Sequence, residues 1–231
     1  MERFWDERAR EHAAYFVDNV LSYREGDMDA FWARGEEVVE KVLAQLGVQV
    51  AADDRVVEIG CGIGRLTRVF AARAAHVWAF DISSEMLQRA RGELGEPANV
   101  EWIHGDGTSL APVADGAASV CFSFVVFQHL PDPAITLAYV REMGRVLRPG
   151  GWSAFQISND PSIHEPRSTD LRSRLKALVG RAPKGQSHPA WLGSAVELDE
   201  LERTANEAAL GVERVDGAGT QFCHVLLRKR H

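Results

Sequence analysis

The chain has 231 residues, of which 45% are apolar and 26% are charged, and its formal net charge is −7. This composition excludes a disordered or low-complexity protein, and the length allows one α/β domain with additions but not two full domains. The acidic balance disfavours a nucleic-acid partner, because domains that bind phosphate backbones usually carry a basic face.

The cysteines and the start of the chain bear on location. Cys61, Cys121 and Cys223 are far apart within apolar runs, which favours buried free thiols in a reducing compartment over disulfides or a zinc site. The first residues are charged, unlike the core of a signal peptide, and no apolar run is long enough to span a membrane. The sequence therefore predicts a cytoplasmic protein with no metal and no membrane partner.

Two amphipathic helices are predicted before the first strand, over residues 4–21 and 29–46, and Gly47 is expected to end the second. The first helix is rich in large aromatic residues, among them Trp5, Tyr15 and Phe16. Two interpretations stay open. The helices either cover one edge of the sheet, or the first of them also closes over a substrate pocket.

The stretch V-V-E-I-G-C-G-I-G-R-L-T predicts a strand at residues 56–59, a tight turn, and a helix at residues 65–75. Gly60, Gly62 and Gly64 let the backbone turn sharply and lie close to a ligand, because no Cβ blocks positive φ. Free backbone amides at the start of this helix would then favour a carboxylate or a phosphate. A plain strand-to-helix connection is the alternative.

The next predicted strand, residues 76–81, ends in Asp81, which lies 21 residues beyond Gly60. A carboxylate at this separation can accept hydrogen bonds from both ribose hydroxyls of a nucleoside. Asp81 could instead cap the following helix, but Ser83 is the better cap and would leave Asp81 free. A dinucleotide is disfavoured, because Arg65 stands where its fingerprint needs a third glycine.

Two further strands end in polar residues. A strand at residues 100–104 precedes Gly105-Asp106-Gly107, where a carboxylate can reach the exocyclic amine of an adenine. The apolar run at residues 118–127 predicts a central strand in its first half, and the sequence Q-H-L-P-D that follows places His129 at the same edge of the sheet. The next predicted elements are a helix and a strand, at residues 133–147 and 152–157.

The pieces E-I-G-C-G-I-G, F-D-I-S, G-D-G, F-Q-H-L-P-D and R-V-L-R-P-G-G follow one another in the sequence. Their order and spacing resemble the class I S-adenosylmethionine-dependent methyltransferases of the small-molecule type, over about residues 40–158. The resemblance implies a Rossmann-like α/β fold, with a seven-stranded, mostly parallel sheet and an antiparallel final hairpin. A helical extension at residues 1–50 would then precede a methyltransferase domain at residues 51–231.

The end of the chain agrees with this fold by pattern alone. Residues 198–209 are typical of a helix, and residues 211–216 and 222–228 are typical of two strands separated by turn residues.

The resemblance implies S-adenosylmethionine as the cofactor and S-adenosylhomocysteine as the product. Glu58 and the amides of the glycine loop would hold the methionine end, Asp81 the ribose and Asp106 the adenine. Ile82 would pack on the adenine face, with Met86 near it. The cofactor-binding residues implied are Glu58, Gly60, Cys61, Gly62, Gly64, Asp81, Ile82, Met86, Asp106, Gly107 and Phe124.

Two departures from the family pattern concern the fourth strand. Ala118-Ser119 stands where Phe-Asp is frequent, and Gln128 stands where the first of two histidines is common. Neither departure removes a cofactor contact carried by the first three motifs.

Methyl transfer needs a base only if the acceptor is a hydroxyl or a protonated amine. His129 is the best-placed candidate, since it follows the fourth strand and an imidazole titrates near pH 6.5. The alternative is that His129 packs or forms hydrogen bonds within its loop. Tyr15 is the second candidate for acceptor contact, if the first helix is a lid.

The family pattern assigns nothing to residues 159–194, which hold six Lys or Arg against three Asp or Glu. This stretch, with a short helix predicted at residues 169–179, is either a substrate cap or a surface excursion. As a cap it would favour an anionic acceptor. Neutralising Arg172, Arg174 and Lys176 together should then weaken acceptor binding.

The sequence thus predicts a methyltransferase that transfers a methyl group from S-adenosylmethionine to the oxygen or nitrogen of a small molecule. The alternatives are a non-catalytic protein that binds the same cofactor, and a methyltransferase that acts on a protein. The sequence indicates no oligomeric state.

Overall fold

The computed structural model describes residues 1–18, 27–164 and 188–231. A seven-stranded sheet in the order β3-β2-β1-β4-β5-β7-β6 runs through these residues. Its strands are β1 (Arg55–Ile59), β2 (His76–Asp81), β3 (Val100–His104), β4 (Ala118–Ser123), β5 (Leu147–Ile157), β6 (Leu210–Asp216) and β7 (Cys223–Lys229).

Helices flank this sheet. They are α1 (Glu2–Val17), α2 (Met28–Leu46), α3 (Thr67–Arg73), α4 (Ser84–Leu94), α5 (Pro133–Val146), the single-turn α6 (Pro189–Leu192) and α7 (Leu198–Glu207). Two 3₁₀ turns lie at Phe127–His129 and Pro161–His164. None of these helices is long and apolar enough to cross a membrane.

The strand pairing confirms the predicted topology. β1 to β5 pair in parallel, whereas β7 pairs antiparallel with both β5 and β6. All six residues of β4 are buried, as expected for a central strand covered on both faces. The predicted antiparallel final hairpin is therefore present.

Successive residues of the central strands point into two different cores, because side chains alternate across a strand. Val57 belongs to a core shared with α5 and α7, and Val56 to a core shared with α2, α3 and α4. Cys61, Cys121 and Cys223 are buried free thiols, as the sequence predicted.

Helix α1 lies over the start of α4 and the glycine loop. Ala9 and Ala13 pack with Ile63 and Met86 in a small apolar cluster. The Asp6 carboxylate accepts hydrogen bonds from the Ser83 hydroxyl at 2.6 Å and from the backbone amide of Glu85 at 3.2 Å. The predicted helix extends past α1 into residues 19–26, which lie outside the described residues.

Several predicted boundaries need correction. Helix α3 begins at Thr67 rather than at residue 65, because Arg65 and Leu66 still belong to the turn that follows Gly64. β5 begins at Leu147, five residues before the predicted start, since Leu147 already pairs with Ala118 of β4. α7 ends at Glu207, two residues before its predicted end, and β6 begins at Leu210, one residue before its predicted start.

The predicted helix at residues 169–179 and the basic residues Arg172, Arg174 and Lys176 lie outside the described residues. The division into an extension at residues 1–50 and a domain at residues 51–231 stays a prediction.

Candidate active site

An open cavity lies at the carboxyl ends of β1, β2 and β4, and its empty space of about 990 Å³ includes a part that is continuous with solvent. This is the edge at which open α/β sheets bind ligands. Its lining includes Trp5, Phe16, Glu58, Gly60, Cys61, Gly62, Arg65, Asp81, Ile82, Met86, Phe124 and His129.

The glycine loop forms one wall of the cavity. A Cβ on Gly60 would lie 2.3 Å from Val126 Cγ2, and a Cβ on Gly62 would lie 2.7 Å from Val17 Cγ2. Both glycines also have positive φ, of 78° and 56°. Only glycine therefore fits these positions without displacing a neighbour.

The loop amides do not serve as the sequence predicted. The amide of Gly60 donates to the Phe80 carbonyl at 2.8 Å, and that of Gly64 to the Cys61 carbonyl at 2.9 Å. The amide of Gly62 donates to Asp81 at 2.8 Å. All three are used within the protein, because the loop folds back on the end of β2. The expectation that they are free to bind the methionine end is wrong for this structure.

Asp81 ties two loops together. One carboxylate oxygen accepts the Gly62 amide and the other accepts the Ser83 amide, each at 2.8 Å. Ser83 is the cap of α4, as predicted, since its hydroxyl accepts the Met86 amide at 3.1 Å. Burial raises the pKa of Asp81, and the two amides oppose this shift. Each oxygen keeps a second lone pair that can accept a hydroxyl.

Glu58 is only 2% exposed, and it accepts a hydrogen bond from the Thr67 hydroxyl at 2.6 Å. Burial raises the pKa of Glu58 to about 7, against the lowering effects of Thr67 and Arg65. A cation placed in the cavity beside Glu58 would favour its ionised form.

Arg65 is a cavity residue whose role the sequence analysis missed. It is 4% exposed and donates from Nη1 to the Asp18 carboxylate at 2.5 Å, while Arg34 Nε donates to the same carboxylate at 2.7 Å. Its Nε has no hydrogen-bond partner among the residues that the structure describes. The signal in the sequence was a charge directly after the third glycine.

Three predicted site residues do not line the cavity. A Cβ on Gly64 would face Leu94, away from the ligand side of the loop. Asp106 is exposed, and its carboxylate accepts the amides of Thr108 and Ser109 at 2.7 and 2.8 Å, which lowers its pKa. Tyr15 packs against Phe16, and Phe16 is the residue that reaches the cavity.

The loop at residues 105–107 contributes to the cavity through its two glycines. Gly105 and Gly107 line it beside Ile82, and a Cβ on Gly107 would lie 2.8 Å from Ile82 Cδ1.

Aromatic residues surround His129 at the other end of the cavity. The Trp5 ring from α1 lies 5.6 Å from the His129 ring, and the Trp191 ring from α6 lies 5.4 Å from it. Phe16 packs edge-on against Trp191. Residue Trp191 was not predicted to reach the site, because it lies in the stretch to which no motif was assigned.

His129 is held by hydrogen bonds on both ring nitrogens. Nδ1 lies 3.0 Å from the Trp191 carbonyl, and Nε2 lies 3.1 Å from Gln128 Nε2. Burial lowers the pKa of His129 to about 4, and the contact with the Trp191 carbonyl only partly opposes this.

Val125 lies two residues after the end of β4 and has φ of 58°. A β-branched residue in the left-handed region is strained, and such strain collects at functional sites. Val125 lines the cavity between Phe124 and Val126.

The lining groups fit S-adenosylmethionine. The buried Nε of Arg65 has no described partner and would suit a carboxylate, whereas Glu58 would suit an ammonium group. Asp81 can accept ribose hydroxyls, and Ile82 with Met86 offers an apolar surface for a purine. Among the described residues, no group of three or more His, Cys, Asp or Glu is placed to hold a metal ion.

Comparison with known proteins gives matches over the same region. A family model described as a methyltransferase domain matches residues 57–155. The ubiquinone biosynthesis O-methyltransferase of Thiobacillus denitrificans is 30% identical over 173 residues, which cover 72% of this chain and 68% of that protein. The trans-aconitate 2-methyltransferase of Azoarcus sp. is 32% identical over 205 residues, covering 82% of this chain and 77% of that protein.

Solved structures share the fold. An S-adenosylmethionine-dependent methyltransferase from Mesorhizobium loti superposes with a TM-score of 0.62 at 17% identity, covering 81% of this chain and 95% of that one. Phosphoethanolamine N-methyltransferase 1 of Haemonchus contortus, in complex with phosphoethanolamine and S-adenosylhomocysteine, gives a TM-score of 0.68 at 14% identity. That match covers 99% of this chain and 48% of the Haemonchus chain.

Proposed function

This chain belongs to the class I S-adenosylmethionine-dependent methyltransferases, and from that premise we propose that it methylates the oxygen or nitrogen of a small molecule bound beside His129. One observation carries the proposal. A single cavity has ionisable groups suited to the cofactor at the glycine loop and aromatic walls at its other end. The relatives act on oxygen in ubiquinone biosynthesis and on trans-aconitate, as their names state, which supports a small acceptor here.

The cofactor would be held at three places. Glu58 would bind the ammonium group, and Arg65 would bind the carboxylate. Asp81 would accept the ribose hydroxyls, with Ile82 and Met86 against the purine. Gly60 and Gly62 would contribute by close approach of the backbone, in place of the amide hydrogen bonds that the sequence predicted.

The adenine would be contacted by the backbone of residues 105–107 instead of by the Asp106 side chain. Gly105 and Gly107 line the cavity, so their main chain could meet the purine edge. A direct contact from the Asp106 side chain would require it to leave the Thr108 and Ser109 amides.

Bound S-adenosylmethionine supplies an electrophilic methyl group on a good leaving group. The protein therefore needs mainly to hold the acceptor in line and to exclude water. Trp5 and Phe16 of α1 wall the cavity and would cover both reactants. α1 would then act as a lid over the cavity, in addition to covering the sheet edge.

We also propose a cytoplasmic location and no nucleic-acid partner. The three buried free thiols fit a reducing compartment, and the net charge of −7 does not suit a phosphate backbone.

Methyl transfer from tritiated S-adenosylmethionine would test the acceptor class. The protein is incubated with small hydroxylated aromatics, carboxylic acids and amines, and acid then separates precipitated protein from soluble products. We expect label in the soluble products, in an amount that depends on the acceptor added, and none with an Asp81→Ala variant. Label confined to added protein substrates would instead assign a protein acceptor.

A further inference from the structure

A chain of hydrogen bonds runs from β5 to α6 through the side chain of His129. Gln156 Nε2 lies 2.9 Å from the Gln221 carbonyl and 2.6 Å from Gln128 Oε1. Gln128 Nε2 lies 3.1 Å from His129 Nε2, and His129 Nδ1 lies 3.0 Å from the Trp191 carbonyl. Gln156 is fully buried and Gln128 is 5% exposed.

The two ends of this chain fix the direction of every bond in it. A backbone carbonyl can only accept, so Gln156 must present its NH₂ group to Gln221. The same NH₂ group then donates to Gln128 Oε1, which leaves the NH₂ group of Gln128 facing His129. His129 Nε2 must therefore accept.

The Trp191 end of the chain independently indicates the same protonation of His129. The Trp191 carbonyl also can only accept, so His129 must carry its proton on Nδ1. A neutral imidazole with the proton on Nδ1 has its lone pair on Nε2, which is where Gln128 donates. Both ends of the chain thus require the same tautomer.

We propose that Gln128 and Gln156 are positioning residues that hold His129 neutral, with its proton on Nδ1 and its Nε2 lone pair occupied by the Gln128 amide. A proton on Nε2 would place two donors against each other. The titratable group that faces the ring among the described residues is His164, and its electrostatic effect lowers the pKa of His129. His164 is itself held by the Leu192 carbonyl and the Ser158 hydroxyl.

This arrangement makes His129 an anchor for α6 at the aromatic end of the cavity. Its Nδ1 holds the Trp191 carbonyl, and Ser194 donates to the Leu130 carbonyl at 2.7 Å nearby. Gly193 packs so closely that a Cβ there would lie 1.7 Å from the Gln128 carbonyl oxygen. Gln128, the departure from the two-histidine pattern, has the acceptor and the donor that the chain needs.

The inference rests on the proposed function only in placing the acceptor beside His129. An acceptor there would have to be nucleophilic without first losing a proton, as a carboxylate or a neutral amine is, because His129 would not take that proton. The tautomer and the titration of His129 can be measured without any acceptor, so failure of the proposed function would not affect them.

Long-range ¹H–¹⁵N correlation spectra of the full chain test the tautomer, with His129 assigned by comparison with His129→Asn. We expect the proton on Nδ1 and no titration of this ring above about pH 5, against about 6.5 for a free imidazole. In Gln128→Glu the new carboxylate would accept a hydrogen bond from Nε2–H. The acid dissociation constant of the His129 imidazolium should therefore fall at least about a hundredfold. A wild-type ring that titrates near 6.5, or carries its proton on Nε2, overturns the proposal.

Turnover gives a second readout. Asn can donate to the Trp191 carbonyl as Nδ1 does but cannot act as a base, whereas Ala can do neither. We expect His129→Ala to lower kcat about tenfold or more, and His129→Asn to recover most of that loss, at equal cofactor affinity. If His129→Asn is as slow as His129→Ala while both remain folded by circular dichroism, the Nε2 lone pair is needed for reaction and the proposal fails.

Discussion

The carboxylate of Asp81 accepts the backbone amide of Gly62 at 2.8 Å, so the side chain expected to bind a ribose also holds the glycine loop. The same carboxylate accepts the Ser83 amide at the start of α4. Donor binding and the shape of the loop are thereby linked through one residue. Loss of this carboxylate should remove a cofactor contact and loosen the loop at once.

Replacement of Asp81 by Ala should weaken cofactor binding on the order of 1.5 to 3 kcal/mol, as expected for loss of hydrogen bonds to a charged group. Asp81→Asn keeps one oxygen that can accept the Gly62 amide, so its loss should be smaller. Titration calorimetry with S-adenosylhomocysteine measures both. Unchanged affinity in Asp81→Ala would show that Asp81 does not contact the cofactor.

Asp106→Ala is the matched control for this series. Asp106 is also a carboxylate at the end of a strand, but it is exposed and bound to the amides of its own loop. We expect its loss to change S-adenosylhomocysteine affinity less than about threefold, since only loop order is affected. A loss as large as that of Asp81→Ala would restore the adenine contact that the sequence predicted.

The sheet was predictable because each parallel strand is a short apolar run bounded by turn residues. β2 and β3 have the predicted bounds, and β4 occupies the first half of its apolar run. The start of α3 was not predictable from apolar spacing, because Arg65 and Leu66 follow Gly64 in a turn rather than in the helix. The spacing of apolar residues does not show where the turn ends and the helix begins.

The site was predictable where a motif places a residue at a strand end, as for Glu58 and Asp81. It was not predictable where partners are distant in sequence. Arg65 meets Asp18 across 47 residues, and His129 meets Trp191 across 62 residues. Asp106 lies at its expected strand end, yet its own loop amides determine where the carboxylate points. Such contacts depend on the assembled fold rather than on any local pattern.

Cofactor affinity should rise with pH across neutrality. Glu58 has a folded-state pKa of about 7, above its ordinary value, so it is mostly protonated at pH 6 and mostly ionised at pH 7.5 or above. Since an ammonium group prefers the carboxylate, we expect affinity for S-adenosylhomocysteine to increase roughly five- to tenfold between pH 6 and pH 7.5. Calorimetry at several pH values measures this.

Glu58→Gln is the control for the pH series, because it keeps the size of the side chain and cannot titrate. Its affinity should be low and nearly constant over the same range. The stability of the cofactor-free protein should move in the opposite direction, since a raised carboxyl pKa means that stability falls as pH rises from about 4.5 towards 7. A pH dependence that persists in Glu58→Gln would assign the titration to another group.

Val125→Gly should cost much less stability than Val126→Gly. Each variant loses the contacts of a partly buried valine side chain and gains backbone freedom in the unfolded state. These two effects together should lower the free energy of unfolding of each variant by about 2 kcal/mol. Val125 has φ of 58°, so glycine also removes a left-handed strain of about 1 to 2 kcal/mol there, whereas Val126 has φ of −112° and gains nothing. Urea unfolding of the two variants measures the difference. Equal losses would show that Val125 is not strained.

Replacement of Arg65 by Gln should weaken the binding of a ligand that has a carboxylate more than the binding of a ligand that has none. Arg65 would pair with the carboxylate of the methionine end, so we expect affinity for S-adenosylhomocysteine to fall about tenfold or more. Methylthioadenosine has the same nucleoside but no carboxylate, and its affinity should change less than about threefold. Calorimetry with the two ligands on both proteins gives the comparison. Equal losses for both ligands would mean that Arg65, through its ion pair with Asp18, only maintains the shape of the glycine loop. No loss for either ligand would remove Arg65 from the cofactor site.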